Sequence, residues 1–363
     1  MSTYAVLGAG NGGQALAALL KHQGHTVRLW TRNSAFVDEM NRSGCVIELY
    51  GALRTTTAID TITSNMREAI VGATMLFVVV PANAHFEIAC RLTEIIEKEQ
   101  TVILNPGRTA GVIEFIHTLI SQGRRKEDLP LVLETQSLFC ACRARNAGVV
   151  DVLSFKKENL LSGIPKKRIP SVLSECSSIY GNLKIAPDTL VTGFDNMGAF
   201  LHPTPVLLNT GWIESRDVFF GHYYQAISQS VAAYIEKMDK ERFDIASKLD
   251  VSVRSVKQWH EEVYGFQGKN LFETLQGNSS YASIDAPKKL FHRYLTEDIP
   301  TGLVPMSEMG RMLGVPTPHI DTIIHLGSSM LNIDFMSQGR NLVRLGLDGK
   351  DVCEIKRIFS DGF

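Results

Sequence analysis

Residues 8–13 read Gly-Ala-Gly-Asn-Gly-Gly and fit the pattern G-x-G-x-x-G. Where a strand ends and a helix begins, this pattern binds the pyrophosphate of a dinucleotide, because its glycines permit a tight turn, close backbone approach and close helix packing. The helix that begins there also offers N–H groups and a partial positive charge to phosphates. We therefore predict that a dinucleotide contacts Gly8, Gly10, Asn11, Gly12 and Gly13.

The end of the second predicted strand, at Thr31 and Arg32, discriminates between the two nicotinamide cofactors. An Asp or Glu at this place would accept a hydrogen bond from the ribose 2′-hydroxyl and would repel a 2′-phosphate. Arg32 can instead pair with a 2′-phosphate or stack on adenine, and Thr31 can donate a hydrogen bond. The sequence predicts a preference for NADP(H), with NAD(H) as the second choice. The alternative for Arg32 is an ordinary solvated loop arginine.

Two later turns follow strands of the same predicted sheet. They are Val-Val-Pro-Ala at 79–82 and Asn-Pro-Gly at 105–107. Open α/β sheets bind ligands at the carboxyl ends of their strands, so we predict that Pro81 and Asn105 contact the cofactor on its nicotinamide side. Ordinary turns have much the same composition, which makes each turn by itself a weak signal.

Acid–base chemistry is indicated by His202, which is followed directly by a proline and stands shortly after the expected domain boundary. A histidine held in this way suits proton transfer near neutral pH, although a structural histidine at a helix start fits the same pattern. A loop bounded by Pro and Gly contains Arg293, Glu297 and Asp298. Functional residues are frequent in such loops, so these segments form our candidate catalytic site.

Periodicity predicts the elements that position these residues. An apolar strand over 3–8, a helix over 11–23 and a strand over 25–30 make one βαβ unit. Further buried strands are predicted over 74–80, 101–104 and 129–134, with helical stretches between them. Strands that alternate with helices indicate a doubly wound parallel sheet, the α/β Rossmann architecture. We assign residues 1–187 to this N-terminal domain.

Short strands are predicted over 149–155 and 183–186, and almost none are predicted after residue 190. Helical periodicity then appears over 215–249, 251–265, 305–314 and 317–333. We therefore predict a second, mostly α-helical domain over residues 188–363. The candidate catalytic residues His202, Arg293 and Asp298 lie in that domain.

Composition bounds the class of protein. The 363 residues are 44% hydrophobic and 21% charged with a net charge of −1, which is typical of a two-domain globular protein and disfavours a nucleic-acid partner. The six cysteines show no metal-ligand spacing, so we predict no metal site and a reducing compartment. No apolar stretch is long enough to span a membrane, and no leader pattern appears at the N-terminus. We expect a cytoplasmic protein without a membrane partner.

Seven phrases, in this order and spacing, resemble the octopine/nopaline (opine) dehydrogenase family in its short bacterial type. The phrases are YAVLGAGNGG (4–13), VVPA (79–82), LNPGRTAG (104–111), ETQSLF (134–139), HPTPVLLN (202–209), RYLTEDIPTGLVPMSEMG (293–310) and VPTPHID (315–321). The resemblance runs over nearly the whole chain. It implies the reductive condensation of an amino acid with a 2-oxo acid, with pyruvate as the first candidate. Separately, we expect a homodimer, for which the apolar segments near Trp212 and Phe219 form a dimer surface or, as the alternative, part of the core.

The resemblance also implies roles for individual residues. His202 resembles the acid–base histidine of the family, and Asp298 resembles the carboxylate that orients this histidine and favours its protonated form. Arg293 resembles the residue that binds the carboxylate of the oxo acid. Thr135 and Cys140 fall where the family lines its substrate pocket, although core residues would occupy the same strand.

Three departures from the family pattern limit what can be carried over. Members that use NAD have an acidic residue where this chain has Thr31-Arg32, Ala110 stands where a glycine is expected, and residues 140–143 differ in detail. Two other functions are compatible with the same architecture. One is a carbonyl reductase of the ketopantoate reductase or glycerol-3-phosphate dehydrogenase type, and the other is a non-catalytic NADP(H)-binding regulator.

Overall fold

The computed structural model describes residues 1–181, 183–215, 218–282 and 284–363. Its contacts divide the chain into two compact units, Met1–Thr192 with Arg357–Phe363 and Gly193–Lys356. The division therefore falls after Thr192 rather than after residue 187. The last residues return to the first unit because Phe359 is buried there, with its carbonyl accepting a hydrogen bond from Thr189 Oγ1 at 2.8 Å.

Twelve strands are described in the first unit, and they form two sheets. The strands are β1 (Thr3–Leu7), β2 (Thr26–Trp30), β3 (Val46–Gly51), β4 (Thr55–Ala58), β5 (Thr61–Thr63), β6 (Met75–Val78), β7 (Thr101–Leu104), β8 (Leu131–Thr135), β9 (Cys140–Asn146), β10 (Val149–Phe155), β11 (Asn159–Ile164) and β12 (Leu183–Ile185).

The larger sheet has eight strands in the order β12-β11-β8-β7-β6-β1-β2-β5. Its neighbours are parallel, as predicted, except that β11 runs antiparallel to β8. The chain builds outward from β1 through β2 and then crosses to β6 on the other side of β1. Strand order thus reverses between β1 and β6, and open α/β sheets bind ligands at such a switch point.

The smaller sheet, in the order β4-β3-β10-β9, is a feature that the sequence analysis did not predict. It pairs β3 with β10, whose residues are about a hundred positions apart, and such long-range pairing leaves no local sequence signal. One face of this sheet, including Ile47, Leu49, Val150 and Val152, is buried in the core of the first unit.

Helices connect the strands of the first unit. They are α1 (Asn11–His22), α2 (Ser34–Arg42), α3 (Met66–Ile70), α4 (His85–Leu92), α5 (Gly111–Ser121) and α6 (Leu173–Tyr180), followed by α7 (Thr189–Phe194) at the division between the units. Nine consecutive residues of α1, from Gly12 to Leu20, are buried, which explains why this segment is rich in Gly, Ala and Leu.

The described part of the second unit is helical apart from turns and one isolated bridge between Gly221 and Asp285, so the predicted mostly α-helical domain is confirmed. Its helices are α8 (Gly198–Leu201), α9 (Pro203–Leu208), α10 (Thr210–Ile213), α11 (Gln229–Lys248), α12 (Val256–Tyr264), α13 (Leu271–Gln276), α14 (Arg293–Thr296), α15 (Val304–Leu313), α16 (Pro318–Leu331), α17 (Phe335–Gln338) and α18 (Leu342–Leu345). The last helix, α19 (Val352–Asp361), begins in the second unit and ends in the first.

The helix predicted over 215–249 is too long at its N-terminal end. In the structure α11 begins only at Gln229, where the Ser228 side chain accepts a hydrogen bond from the backbone N–H of Val231. Residues 218–228 form turns instead, and residues 216 and 217 lie outside the described part of the chain. A serine cap that supplies an acceptor at the helix start explains this boundary. None of the helices in the described residues is long and apolar enough to span a membrane.

Candidate active site

The glycine-rich turn has the geometry that its sequence predicts. Gly8 has a φ of +120°, and a Cβ there would lie 2.4 Å from the carbonyl oxygen of Val79. A Cβ at Gly13 would lie 1.7 Å from the carbonyl oxygen of Gly8, so only glycine lets α1 start this close to the end of β1. At Gly10 a Cβ would meet no protein atom within 4 Å, so the protein alone does not require glycine there.

A cavity of about 270 Å³ lies beside this turn, at the switch point of the larger sheet. Its wall comes from the carboxyl ends of β1, β2 and β6 and from the start of α4. The lining residues are Gly8, Ala9, Gly10, Trp30, Thr31, Arg32, Asn33, Phe36, Val79, Val80, Pro81, Ala84, Glu87 and Ile88. The structure thus brings together Gly8, Gly10, Thr31, Arg32 and Pro81 of the predicted cofactor residues.

The two residues expected to recognise a 2′-phosphate differ in exposure. Thr31 is buried, and its hydroxyl oxygen accepts a hydrogen bond from the backbone N–H of Asn33 at 3.3 Å. Arg32 is exposed over 73% of its side chain, and its Nη1 lies 3.2 Å from Oε2 of Glu87. Arg32 therefore presents a guanidinium at the rim of the cavity, whereas the Thr31 hydroxyl stabilises the turn.

Asn11 and Asn105 were both predicted to contact the cofactor, but they do not line this cavity. Their side chains form hydrogen bonds with other groups of the first unit. The Asn11 side-chain oxygen accepts a hydrogen bond from the backbone N–H of Ala144 at 3.2 Å, which joins the start of α1 to β9. The Asn105 side-chain oxygen accepts one from the Tyr180 hydroxyl at 2.6 Å, and its nitrogen donates to the carbonyl of Ile103. A cofactor contact by either side chain would have to share these bonds.

Thr135 and Cys140, predicted to line the substrate pocket, lie in the interior of the first unit. Thr135 is 1% exposed, and its hydroxyl donates to the carbonyl of Leu104 at 3.4 Å. Cys140 is 2% exposed within the hydrophobic core cluster. A hydrogen bond with Cys142, together with burial, raises the pKa of the Cys140 thiol well above its usual range, so the thiol stays protonated.

The loop after β7 contains the second departure from the family pattern. Ala110 takes the left-handed conformation with a φ of +58° and is 1% exposed. A Cβ is disfavoured in this conformation, which explains why glycine is the expected residue. Arg108 in the same loop also has a positive φ, of +63°. Buried Glu134 lies beneath the loop, because a Cβ at Gly107 would be 2.0 Å from its Oε2.

In the second unit the structure brings His202 and Asp298 together. His202 Nδ1 lies 2.8 Å from Asp298 Oδ2, although 96 positions separate the two residues in the chain. The Asp298 side chain is fully buried, and that of His202 is 17% exposed. With the carboxylate at Nδ1, the imidazole keeps its Nδ1 proton, and Nε2 is the nitrogen left to exchange a proton.

The close packing of Gly302 against α8 explains how these two residues meet. Asp298 directly precedes a π-helical turn, Ile299–Leu303, and π-helical turns are frequent at functional sites. A Cβ at Gly302 would lie 2.6 Å from Cβ of Ala199 in α8, the helix that ends just before His202. Glycine therefore allows the two backbones to approach closely, which places the carboxylate beside the imidazole.

Arg293 and Glu297 form an ion pair on the adjoining turn. Nε and Nη2 of Arg293 each lie 2.9 Å from Oε2 of Glu297, which is buried. Partial burial by itself lowers the pKa of Arg293, but the charges of Glu297 and Asp298 raise it on balance. The Arg293 side chain is 56% exposed, and Glu297 holds one edge of its guanidinium through Nε and Nη2.

Two aromatic side chains around His202 were missed by the sequence analysis. The Tyr294 ring stacks on the His202 ring, with centroids 4.1 Å apart and an interplanar angle of 13°. The His222 ring lies 4.8 Å from Tyr294, and its Nε2 is 2.9 Å from the carbonyl oxygen of Leu201. Burial and the neighbouring His202 lower the pKa of His222 to about 3, so His222 is neutral. Tyr294 lies within a quoted phrase, whereas no motif marks His222.

Comparison with known proteins agrees with this geometry. The family model for the α-helical domain of NAD/NADP octopine/nopaline dehydrogenases matches residues 185–331. The model for the N-terminus of NAD-dependent glycerol-3-phosphate dehydrogenase matches residues 3–130. The two models together cover the cofactor-binding turn and both segments that carry the histidine and the aspartate.

One relative and two solved structures extend the match to the whole chain. An opine dehydrogenase of Arthrobacter sp. (strain 1C) is 37% identical over 98% of this chain and 98% of its own. Octopine dehydrogenase with NADH and L-arginine aligns with a TM-score of 0.82 at 21% identity, over 98% of both chains. Yersinopine dehydrogenase with NADP⁺ aligns with a TM-score of 0.74 at 15% identity, over 99% of this chain and 97% of its own. The chain belongs to the octopine/nopaline (opine) dehydrogenase family, whose members are NAD(P)-dependent oxidoreductases acting on the CH–NH group of donors.

Proposed function

We propose that the chain catalyses the NADPH-dependent condensation of an amino acid with pyruvate, giving an N-(carboxyalkyl) amino acid and water. The first unit binds the cofactor, and the second activates the two substrates. The observation that carries this proposal is the His202–Asp298 pair at 2.8 Å, with the Arg293–Glu297 pair on the adjoining turn. A proton-transfer group and a carboxylate-binding cation are what joining an amine to a 2-oxo acid requires.

The glycine-rich turn fits a dinucleotide. Gly13 approaches Gly8 closely, and no protein atom fills the space at Gly10. The start of α1 beside this space offers backbone N–H groups to a pyrophosphate. We propose NADP(H) as the preferred cofactor because Arg32, and no acidic residue, follows β2; NAD(H) is the second choice. When bound, the cofactor supplies the hydride at C4 of its nicotinamide.

His202 is proposed to move the protons. The amine nitrogen of the amino acid bonds to the carbonyl carbon of the oxo acid as the carbonyl π pair moves onto oxygen. Nε2 of His202 takes the proton that the nitrogen loses and returns it to this oxygen, which gives the carbinolamine. After Nε2 takes up a proton from solvent, it protonates the hydroxyl, which leaves as water while the nitrogen lone pair forms an iminium ion. Hydride addition to the iminium carbon then gives the secondary amine. Asp298 holds the imidazole in one tautomer throughout.

Arg293 is proposed to bind the carboxylate of the oxo acid. Its Nε and Nη2 face Glu297, and this pair fixes the plane of the guanidinium. A planar fork that is already oriented loses less entropy on binding a carboxylate than a free side chain does. Thr135 and Cys140 are both buried in the first unit. Their role in lining the substrate pocket stays a prediction.

A homodimer and a cytoplasmic location are also part of the proposal. The described part of the second unit exposes Trp212 by 53%, Phe219 by 68% and Phe291 by 71%, which are large apolar side chains suited to a subunit interface. All six cysteines are thiols, which fits a reducing compartment. Light scattering of the purified chain would separate a dimer from a monomer, and alanine at Trp212 and Phe219 would weaken a dimer built on this surface.

The experiment that tests the reaction is NADPH oxidation, followed by absorbance, with pyruvate plus pooled amino acids and with either substrate omitted. Oxidation that needs both substrates supports the proposal, and splitting the pools identifies the amino acid. Oxidation with the oxo acid alone would assign the chain to the carbonyl reductases, and NADPH binding without any turnover would favour the regulator. The His202→Ala variant should lose turnover while it keeps NADPH binding; near-normal turnover would refute the role of His202.

A further inference from the structure

A carboxylate stands beside the arginine at the rim of the cofactor cavity. Glu87, in the first turn of α4, lines the cavity together with Arg32, and its Oε2 lies 3.2 Å from Arg32 Nη1. Glu87 follows β6, not β2, and lies 55 positions after Arg32 in the chain. The rim of the cavity therefore carries two opposite charges, of which only the cation was predicted from the sequence.

Arg91 holds the Glu87 carboxylate from the other side. Nε and Nη2 of Arg91 lie 3.1 and 2.9 Å from Oε1 of Glu87, one helical turn away on α4. The side chains of Arg32, Glu87 and Arg91 are 73, 42 and 50% exposed, and exposed ion pairs of this kind are weak. Arg32 can therefore leave Glu87 for a ligand while Arg91 keeps the carboxylate at the rim.

The two charges discriminate between cofactors in opposite directions. The residue after β2 meets the 2′ position of the adenosine ribose, so a 2′-phosphate bound by Arg32 would lie within a few ångströms of Glu87. The carboxylate would repel this dianion, whereas it can accept a hydrogen bond from a ribose hydroxyl. A neutral 2′-hydroxyl leaves the Arg32–Glu87 pair intact.

We propose that Glu87 is a second determinant of cofactor specificity, which opposes Arg32 and lets the site accept NADH as well as NADPH. The inference rests on the proposed binding of the cofactor at this cavity. It adds to that proposal a residue on α4 that moderates the preference set after β2.

The test is isothermal titration of the full chain with NADPH and NADH, and with the fragments 2′,5′-ADP and 5′-AMP, at low salt. Glu87→Gln removes the charge and keeps the shape, and the ratio of NADPH to NADH affinity should rise by about three- to tenfold. The affinity for NADH should change by less than about threefold, since an amide oxygen still accepts a hydrogen bond. In about 0.5 M salt the gain should shrink to less than about twofold, because exposed charges are screened.

Glu127→Gln is the matched control. Glu127 also pairs with an exposed arginine of the first unit, Arg125 at 3.6 Å, and it does not line the cavity. Its substitution should leave both affinities unchanged. An unchanged affinity ratio in Glu87→Gln, or an equal shift in Glu127→Gln, would overturn the inference.

The outcomes also separate this inference from the proposed function. A shifted affinity ratio without formation of the condensation product would refute the proposed reaction and support the role of Glu87. Product formation with an unshifted ratio would do the opposite. If neither cofactor binds the wild-type chain, both proposals fail.

Discussion

Replacing Asp298 by asparagine tests the proposed catalytic pair most directly. The substitution keeps the size of a side chain that is fully buried, and it removes the charge 2.8 Å from His202 Nδ1. An asparagine can turn its NH₂ group toward Nδ1, which would move the imidazole proton to Nε2 and leave the wrong nitrogen to exchange protons. Positioned acid–base groups contribute about 10²- to 10⁴-fold in rate, so kcat should fall by this factor, or about 3 to 5 kcal/mol of barrier.

Steady-state kinetics with saturating NADPH, pyruvate and the amino acid would measure kcat, and titration would measure cofactor affinity. The affinity should stay within about threefold of wild type, because Asp298 is not among the residues that line the cofactor cavity. Glu241→Gln is the matched control, since it breaks a second histidine–carboxylate pair of the same unit, His319 Nδ1 to Glu241 Oε1 at 2.6 Å. A kcat for Asp298→Asn within tenfold of wild type, or an equal loss in Glu241→Gln, would refute the reasoning.

Three further outcomes are expected. Arg293→Lys should raise the KM for the oxo acid by about ten- to a hundredfold with a smaller change in kcat, because a lysine cannot form the bidentate fork; equal changes in both substrates' KM would contradict this. Ala110→Gly should raise the free energy of unfolding in urea by about 1 kcal/mol, because it removes the strain of an alanine in the left-handed conformation. As a control, Ala233→Gly on the exposed face of α11 should lower the free energy of unfolding by about 1 kcal/mol. The pKa of His222 is lowered from 6.5 to about 3 in the folded chain, so stability should fall as pH decreases from 6.5 toward 3, and less steeply in His222→Asn; parallel pH profiles would contradict the assignment.

Much of the first unit follows from the sequence because its signals are local. Short segments of four or five residues, mostly apolar, define β1, β2, β6, β7 and β8. Gly13 of the first turn is required by its contact with Gly8, a near neighbour along the chain. The same holds for the ordered phrases that indicate the family. The resemblance also assigned Asp298 to His202 and a carboxylate-binding role to Arg293, but it gave Glu297 no partner.

The tertiary structure alone showed that Glu297 pairs with Arg293. Glu297 and Asp298 are consecutive in the sequence, yet one turns to Arg293 and the other to His202, because the π-helical turn and Gly302 bring the segment against α8. The smaller sheet and the pairing of Glu87 with Arg32 likewise join residues that are far apart in the chain. Such contacts depend on packing and long-range strand pairing, and a pattern of neighbouring residue types cannot encode them.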